Sequence, residues 1–136
     1  MEHLPSEMQN YPVTCIIRLR LVDDEAKALV MTYALSSFLL NVSSGDFPET
    51  GPGQSILRIL KNRFELNWST ASEDISPISA TEELAETFSI SHGTPMLKQR
   101  CSAFDDHGQV AFHEEVVRHG SINFNLSQHS RVELHV

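Results

Sequence analysis

Two arginines, Arg18 and Arg20, are the residues whose type and spacing point most directly to chemistry. They stand two residues apart in an apolar, β-branched run, so on a strand both guanidinium groups project from one face, roughly 6 to 7 Å apart. Their neighbours on that face, Ile16 and Val22, are apolar, and two like charges beside apolar groups require an anionic partner. That partner is either a carboxylate within the chain or a carboxylate or phosphate of a ligand, to which the planar guanidinium binds in a bidentate manner.

A second signal for anion binding is Ser55, which directly precedes an amphipathic segment. The free N–H groups at a helix N-terminus form a natural anion site together with a hydroxyl, and the same serine also fits an ordinary N-cap. Tyr33 and Trp68 carry aromatic rings that either stack on a ligand or pack in the core. The sequence leaves both alternatives open for each of these residues.

No catalytic constellation is evident in the sequence. Neither Cys15 nor Cys101 is near a histidine in the sequence, and no Gly-x-Ser-x-Gly motif occurs. The 7 histidines form no cluster with zinc-ligand spacing, and no glycine-rich nucleotide loop is present. On a strand, alternation turns His113 and Glu115 one way and Glu114 the other, and we interpret His113 with its two acidic neighbours as solvated or at a rim. We therefore predict no catalytic residue, no metal and no cofactor.

Composition and charge limit the partners that the chain can have. Its 136 residues suffice for one domain with its own core. Lys and Arg number 10 against 18 Asp and Glu, and the formal net charge of −8 disfavours DNA binding by this chain alone. Apolar stretches fall far short of the ~18 residues that span a bilayer, so we expect no membrane partner and a cytoplasmic location. Cys15 and Cys101, each within an apolar run, are predicted to be reduced core residues.

These side chains must be positioned by a mixture of strands and helices. Two β-hairpins are predicted, the first turning at 23–24 and the second at 105–108. Between them, apolar spacings of three and four residues predict a helix over 56–64, and Thr81 with the carboxylates after it predicts the start of another. Residues 42–53 are rich in Gly, Pro, Ser and Asp and predict a surface loop. The predicted strands cover 11–22, 28–35, 66–78, 96–104 and 110–117.

In their order along the chain, these pieces resemble the UTRA domain, the effector-binding module of the HutC subfamily of GntR transcription regulators. The first hairpin carries Arg-x-Arg at 18–20, and Gly-Gln-Ser-Ile-Leu at 53–57 resembles the family's Gly-Ser-[Leu/Ile]-Tyr helix start. The second helix is followed by Ile-x-x-Gly-x-Pro at 90–95, an aspartate-glycine turn and a return strand that ends at Arg118. The resemblance extends over residues 11–126.

The resemblance implies an α+β fold, an antiparallel sheet with flanking helices that is chorismate lyase-like, and a homodimer. We assign residues 11–136 to the effector-binding domain and 1–10 to a remnant of the family's first strand and helix. In members that bind sugar phosphates, the two arginines and the serine hold the phosphate, which implies that role for Arg18, Arg20 and Ser55.

Several positions depart from the family's sugar-binding pattern. The family's other sugar-contacting acids and tyrosines fall at or near Val30, Leu57, Ala111 and Val117. These apolar side chains argue against an amino-sugar phosphate as the ligand. Tyr33 and Glu115 complete our set of ligand-binding candidates.

Three functions are compatible with the sequence. The first is a non-enzymatic sensor in which a small phosphate- or carboxylate-bearing metabolite binds beside Arg18 and Arg20 and alters a homodimer, with DNA contacted only through an N-terminal winged helix-turn-helix absent from this chain. The second is a degenerate dimerisation or protein-interaction module. The third is a chorismate lyase-like enzyme in which the arginines bind substrate carboxylates and Glu115 assists proton transfer.

Overall fold

A five-stranded antiparallel sheet forms the centre of the molecule in the computed structural model, which describes residues 4–47 and 56–123. The strands are β1 (Val13–Val22), β2 (Glu25–Leu35), β3 (Thr70–Ser79), β4 (Pro95–Phe104) and β5 (Val110–Arg118). The helices are α1 (Ser6–Gln9), α2 (Ile56–Phe64) and α3 (Glu82–Phe88), and 3-10 turns lie at Ser36–Phe38 and Ser44–Asp46. The spatial order of the strands is β1-β2-β5-β4-β3. This architecture confirms the predicted α+β class of an antiparallel sheet with flanking helices.

Both predicted hairpins are confirmed. Strands β1 and β2 pair across Asp23 and Asp24, whose positive φ angles of 53° and 64° are those that a two-residue type I′ turn requires. Aspartate tolerates this left-handed conformation better than most residues, because its short side chain can hydrogen-bond locally. Strand β2 therefore begins at Glu25, earlier than the predicted start at residue 28. Strands β4 and β5 also pair antiparallel, and the turn between them contains Gly108, where φ is +77°.

The two hairpins are joined side by side through β2 and β5, which makes β5 the central strand. In this register Thr32 lies opposite Glu114 and Val30 lies opposite Val116. Nearly every residue of β5 is buried or half-buried, because the strand has neighbours on both sides and helices pack on both faces of the sheet.

The front face of the sheet, which carries Ile16, Val30 and Val116, is covered in part by α2. Ile56 and Leu60 of this helix are buried in the core cluster on that face, as the apolar spacing predicts. Leu57 was predicted for the same apolar side of the helix but remains 42% exposed. Its side chain lies beside a cleft rather than against the sheet.

The back face, which carries Leu29, Tyr33 and Val117, is covered by the other two helices. Phe88 of α3 packs in the cluster with Leu29 and Val117, while Met8 of α1 packs in the cluster with Tyr33. Helix α3 begins as predicted, with the hydroxyl of Thr81 accepting a hydrogen bond from the backbone N–H three residues on. No helix within the described ranges is long and apolar enough to cross a membrane.

The two cysteines are free, as predicted, but the prediction that both are core residues is wrong. Cys101 is half-buried, whereas Cys15 is exposed. The reason is that Cys15 lies on the back face of β1, the edge strand, where the residues that follow on the same face, Ile17, Leu19 and Leu21, are exposed as well.

A buried polar network lies on the back face. The prediction that His113 and its acidic neighbours are solvated or at a rim is wrong for His113 and Glu115, which are both buried because β5 is the central strand. The Glu115 side chain is 2% exposed, and its Oε1 atom lies 2.9 Å from Lys98 Nζ. Its Oε2 atom lies 3.3 Å from His113 Nε2, and His113 Nδ1 lies 2.8 Å from the Ser102 hydroxyl oxygen. Because a buried carboxylate without a counter-charge is costly, Lys98 and His113 are required to hold Glu115 in this position.

We expect Lys98→Ala to destabilise the fold, because the substitution removes the ammonium group that lies 2.9 Å from the buried Glu115 carboxylate. Loss of one partner of a buried ion pair costs about 3 kcal/mol, and since the Lys98 side chain is 30% exposed, we expect about 2 kcal/mol in urea unfolding. The matched control is Lys27→Ala, which breaks the exposed pair between Lys27 and Glu25 at 3.1 Å and is expected to cost about 0.5 kcal/mol or less. Equal effects of the two substitutions would contradict this account.

Candidate functional site

A cleft of about 400 Å³ lies on the front face, between the sheet and the first turn of α2. Its floor consists of side chains from β1, β2 and β5, and its wall is formed by Ile56 and Leu57. The lining residues are Arg18, Leu19, Arg20, Val30, Ile56, Leu57, Glu114, Val116 and Arg118. The cleft thus combines apolar surface with four ionisable side chains.

Arg18 and Arg20 lie together in this cleft, on the strand that the sequence predicts for them. Arg18 pairs with Val30 and Arg20 pairs with Ala28 across the β1–β2 ladder, so both side chains belong to the front face. The irregularity of the ladder follows immediately after Arg20 and does not separate the two arginines. Arg18 is half-buried and Arg20 is exposed, so the pair extends from the cleft floor to its mouth.

A third guanidinium, that of Arg118, lines the same cleft from the end of β5. Arg118 lies opposite Ala28, whose other neighbour is Arg20, so these residues form one row across three strands. Its Nε atom donates a hydrogen bond to Gln99 Oε1 at 3.3 Å, which fixes the side chain against β4. The sequence alone predicts no ligand contact for Arg118. Its place in the site depends on the pairing of β2 with β5, for which the sequence contains no local signal.

Glu114 is the acidic residue of the cleft. Thr32, which is fully buried, donates a hydrogen bond from Oγ1 to Glu114 Oε2 at 3.2 Å. Burial raises the pKa of the Glu114 carboxyl and is the largest influence on it, while the Thr32 hydrogen bond lowers the pKa and the negative charge of Glu73 raises it. Arg118 and His113 lower it further, and the net shift is upward. The sequence contained the signal for this position, because alternation sets Glu114 opposite to Glu115.

Tyr33 and Glu115 are not brought together with the arginines. Both belong to the back face, where Tyr33 lies opposite His113 and Glu115 lies opposite Met31. The Tyr33 ring tilts against the His113 ring at a centroid distance of 6.1 Å, and burial, with smaller contributions from Cys15 and Glu115, raises the pKa of Tyr33 to about 12. The sheet therefore separates these two candidates from Arg18 and Arg20, while Ser55 lies outside the described residues.

The positions that depart from the family's sugar-binding pattern are divided between the cleft and the core. Val30 and Leu57 line the cleft and make its centre apolar, whereas Ala111 and Val117 are buried. Trp68 is 45% exposed and meets Phe112 edge-on at a centroid distance of 6.4 Å. It lines a second cleft on the far side of Leu57 and does not reach the arginines.

Comparisons with known structures agree with this fold. The chain is similar to the C-terminal domain of Yurk from Bacillus subtilis, with a TM-score of 0.68 and 16% identity over 80% of this chain and 72% of that one. It is similar to the ligand-binding domain of a GntR-family transcriptional regulator from Bordetella bronchiseptica, with a TM-score of 0.68 and 11% identity over 83% and 74% of the two chains. A GntR-family transcriptional regulator from Enterococcus faecalis gives a TM-score of 0.69 and 19% identity over 85% and 81%.

These similarities confirm the chorismate lyase-like fold that the sequence resemblance implied. Among curated proteins, none matches this sequence. The model of one protein family, described as the UTRA domain, matches residues 6–121, a range that includes every strand of the sheet and the whole lining of the cleft. The chain therefore belongs to the UTRA domain family.

Proposed function

We propose that this chain is a non-enzymatic effector-sensing domain of a GntR-type transcription regulator of the HutC subfamily, and that a small anionic metabolite binds in the front-face cleft. The observation that carries the proposal is the presence of Arg18, Arg20 and Arg118 in one cleft of about 400 Å³. A cavity of this size with a few polar groups on an apolar lining is typical of small-molecule sites.

The charge distribution favours an anion at this position. The chain as a whole carries a formal charge of −8, yet three guanidinium groups converge on one concave surface. Concave walls of low dielectric constant concentrate the field of such a cluster, and arginine binds both carboxylate and phosphate in a bidentate geometry. Glu114 partly offsets the positive charge, so the cleft discriminates among anions rather than binding them all.

The regulatory part of the proposal rests on the family and on the solved structures that the chain resembles. The Bordetella bronchiseptica domain is a ligand-binding domain of a GntR-family regulator. We infer that the bound metabolite shifts a homodimer between two geometries, and that DNA is contacted by a winged helix-turn-helix attached to this domain, since a net charge of −8 disfavours DNA binding by the domain itself.

An enzyme of the chorismate lyase type is the less favoured function. That hypothesis requires Glu115 to transfer a proton at a substrate held by Arg18 and Arg20. Glu115 lies on the back face and is engaged by Lys98 and His113, so its carboxylate does not face the cleft.

The sensor hypothesis is tested by ligand-induced stabilisation. Phosphorylated sugars, inorganic phosphate, dicarboxylates and neutral metabolites are screened in a thermal-shift assay, and at 100 times its Kd a ligand stabilises the native state by about 2.7 kcal/mol, which is a rise in Tm of about 8 °C for a domain of this size. We expect a hit among the anions, and we expect Arg18→Ala/Arg20→Ala to abolish it.

The control for the loss of two positive charges is Arg58→Ala/Lys61→Ala, since both side chains line the second cleft. The control variant keeps the hit if binding occurs at the front-face cleft. Equal loss of binding in both double variants would point to non-specific attraction, and the absence of any anionic hit for a folded wild-type domain would contradict the proposal.

The homodimer that we propose uses the back face of β1. Ile17 and Leu21 on this face of the edge strand are 65% and 56% exposed, a concentration of apolar surface that a monomer rarely leaves in water. The same surface favours the second candidate function, a dimerisation module without a ligand. The two functions differ in whether the cleft binds an anion.

We expect Ile17→Lys/Leu21→Lys to convert the dimer to a monomer in sedimentation equilibrium, because two charges in an apolar interface are desolvated without partners. Thr70→Lys/Ser72→Lys on β3, the opposite edge strand, is the matched control, since both residues are exposed there, and this variant is expected to remain dimeric. A dimer that persists in Ile17→Lys/Leu21→Lys would place the interface elsewhere.

A further inference from the structure

The front-face cleft carries opposite charges in different rows of the sheet. Across β1, β2 and β5, one row consists of Arg20, Ala28 and Arg118, and the next consists of Arg18, Val30 and Val116. The third row consists of Ile16, Thr32 and Glu114. Rows on one face of a sheet are separated by roughly 6 to 7 Å, so the carboxylate-bearing row and the Arg20–Arg118 row are about 13 Å apart at the backbone.

The centre of the cleft between these charges is apolar. Val30 and Val116 form its floor, and Ile56 and Leu57 form its wall. Val116 is only 4% exposed, so most of the apolar surface of the cleft comes from the other three side chains. Along the cleft, a cationic region is therefore followed by an apolar region and then by an anionic region.

Glu114 forms no direct ion pair within the described part of the chain, although the positive charge of Arg118 in the same cleft lowers its pKa. Thr32 is its hydrogen-bond donor, and no Lys, Arg or His nitrogen in residues 4–47 and 56–123 forms an ion pair with it. Glu73, across β4, adds a second negative charge to its surroundings. A half-buried carboxylate next to another acid is costly to keep ionised, and a cation delivered to the cleft would offset that cost.

From this layout we infer that the ligand of the cleft is amphoteric, with a carboxylate or phosphate held at the arginines and an ammonium or other cationic N–H group held at Glu114. The inference rests on the proposed anion site and adds the second recognition element. The Val30–Val116 floor then contacts a short hydrocarbon spacer between the two charged groups. Glu114 acts as a specificity-determining residue, because an anion without the cationic group engages the arginines and leaves Glu114 without a direct ion pair.

The test compares anions that differ only by an amino group. The probes are the ω-amino carboxylates of three to six carbons, each paired with the unsubstituted carboxylate of the same length, and O-phosphoethanolamine paired with ethyl phosphate. Binding is measured by calorimetry on the wild-type chain. A charge-assisted hydrogen bond to Glu114 predicts that the amino member of at least one pair binds about tenfold or more tightly than its partner.

Two variants test whether Glu114 causes the tighter binding of the amino-bearing anion. Glu114→Gln is expected to reduce the ratio within the pair to below about twofold without weakening the plain anion. Glu83→Gln removes the same charge from an exposed position of α3, outside the cleft lining, and is expected to keep the preference. Retention of the preference in Glu114→Gln would overturn the inference.

The outcomes separate this inference from the proposed function. If the plain and amino anions bind equally at every length, and Arg18→Ala/Arg20→Ala abolishes both, the anion site stands and the amphoteric ligand is excluded. If no probe and no other anion binds the folded wild-type chain, the proposed function fails and the inference fails with it. The wild-type comparison decides the point even if Glu114→Gln does not fold.

Discussion

The alternation of side chains along β5 is the constraint on which the rest of the structure depends. Because this strand is central, its two sets of side chains must satisfy two different environments at once. Glu114, Val116 and Arg118 face the cleft, while the Glu115 carboxylate on the back face contacts the Lys98 ammonium and the His113 ring. A slip of one residue in the β2–β5 register would exchange these sets, so that Glu115 would face the cleft and Glu114 and Arg118 would face the core.

The same alternation explains how much of the site could be predicted. Arg18 and Arg20 share a face on any regular strand, so their pairing follows from their spacing alone. To predict that Glu114 and not Glu115 faces the cleft, one must know which face of the sheet α2 covers. That depends on contacts between Ile56 and residues far away in the sequence. Tyr33 was assigned to the ligand for its ring chemistry, but the helix that covers it, α1, gave no clear periodic pattern in the sequence.

Local signals predicted the hairpins, α2 and α3, because turns, caps and apolar spacing are properties of neighbouring residues. The order of the strands in the sheet could not be predicted from such local signals. Pairing of β2 with β5 joins residues such as Thr32 and Glu114 that are separated by most of the domain, and it alone brings Arg118 to the cleft. The exposure of Cys15 has the same origin, since an apolar run contains no information about whether its strand lies at the centre or at the edge of a sheet.

Strand β1 connects the two surfaces on which regulation by this domain would depend. Its front face presents Arg18 and Arg20 to the cleft, and its back face presents Ile17 and Leu21 to the proposed partner subunit. One edge strand paired on a single side has fewer constraints than a central strand, and the irregularity in its ladder follows Arg20 directly. In the proposed homodimer, a ligand that pulls the arginines toward the cleft would therefore act on the same backbone that contacts the partner subunit. A ligand can shift the equilibrium between two positions of β1 only by its difference in affinity for them. Under this proposal, the groups on β5, at the centre of the sheet, hold the ligand in place while β1 changes position.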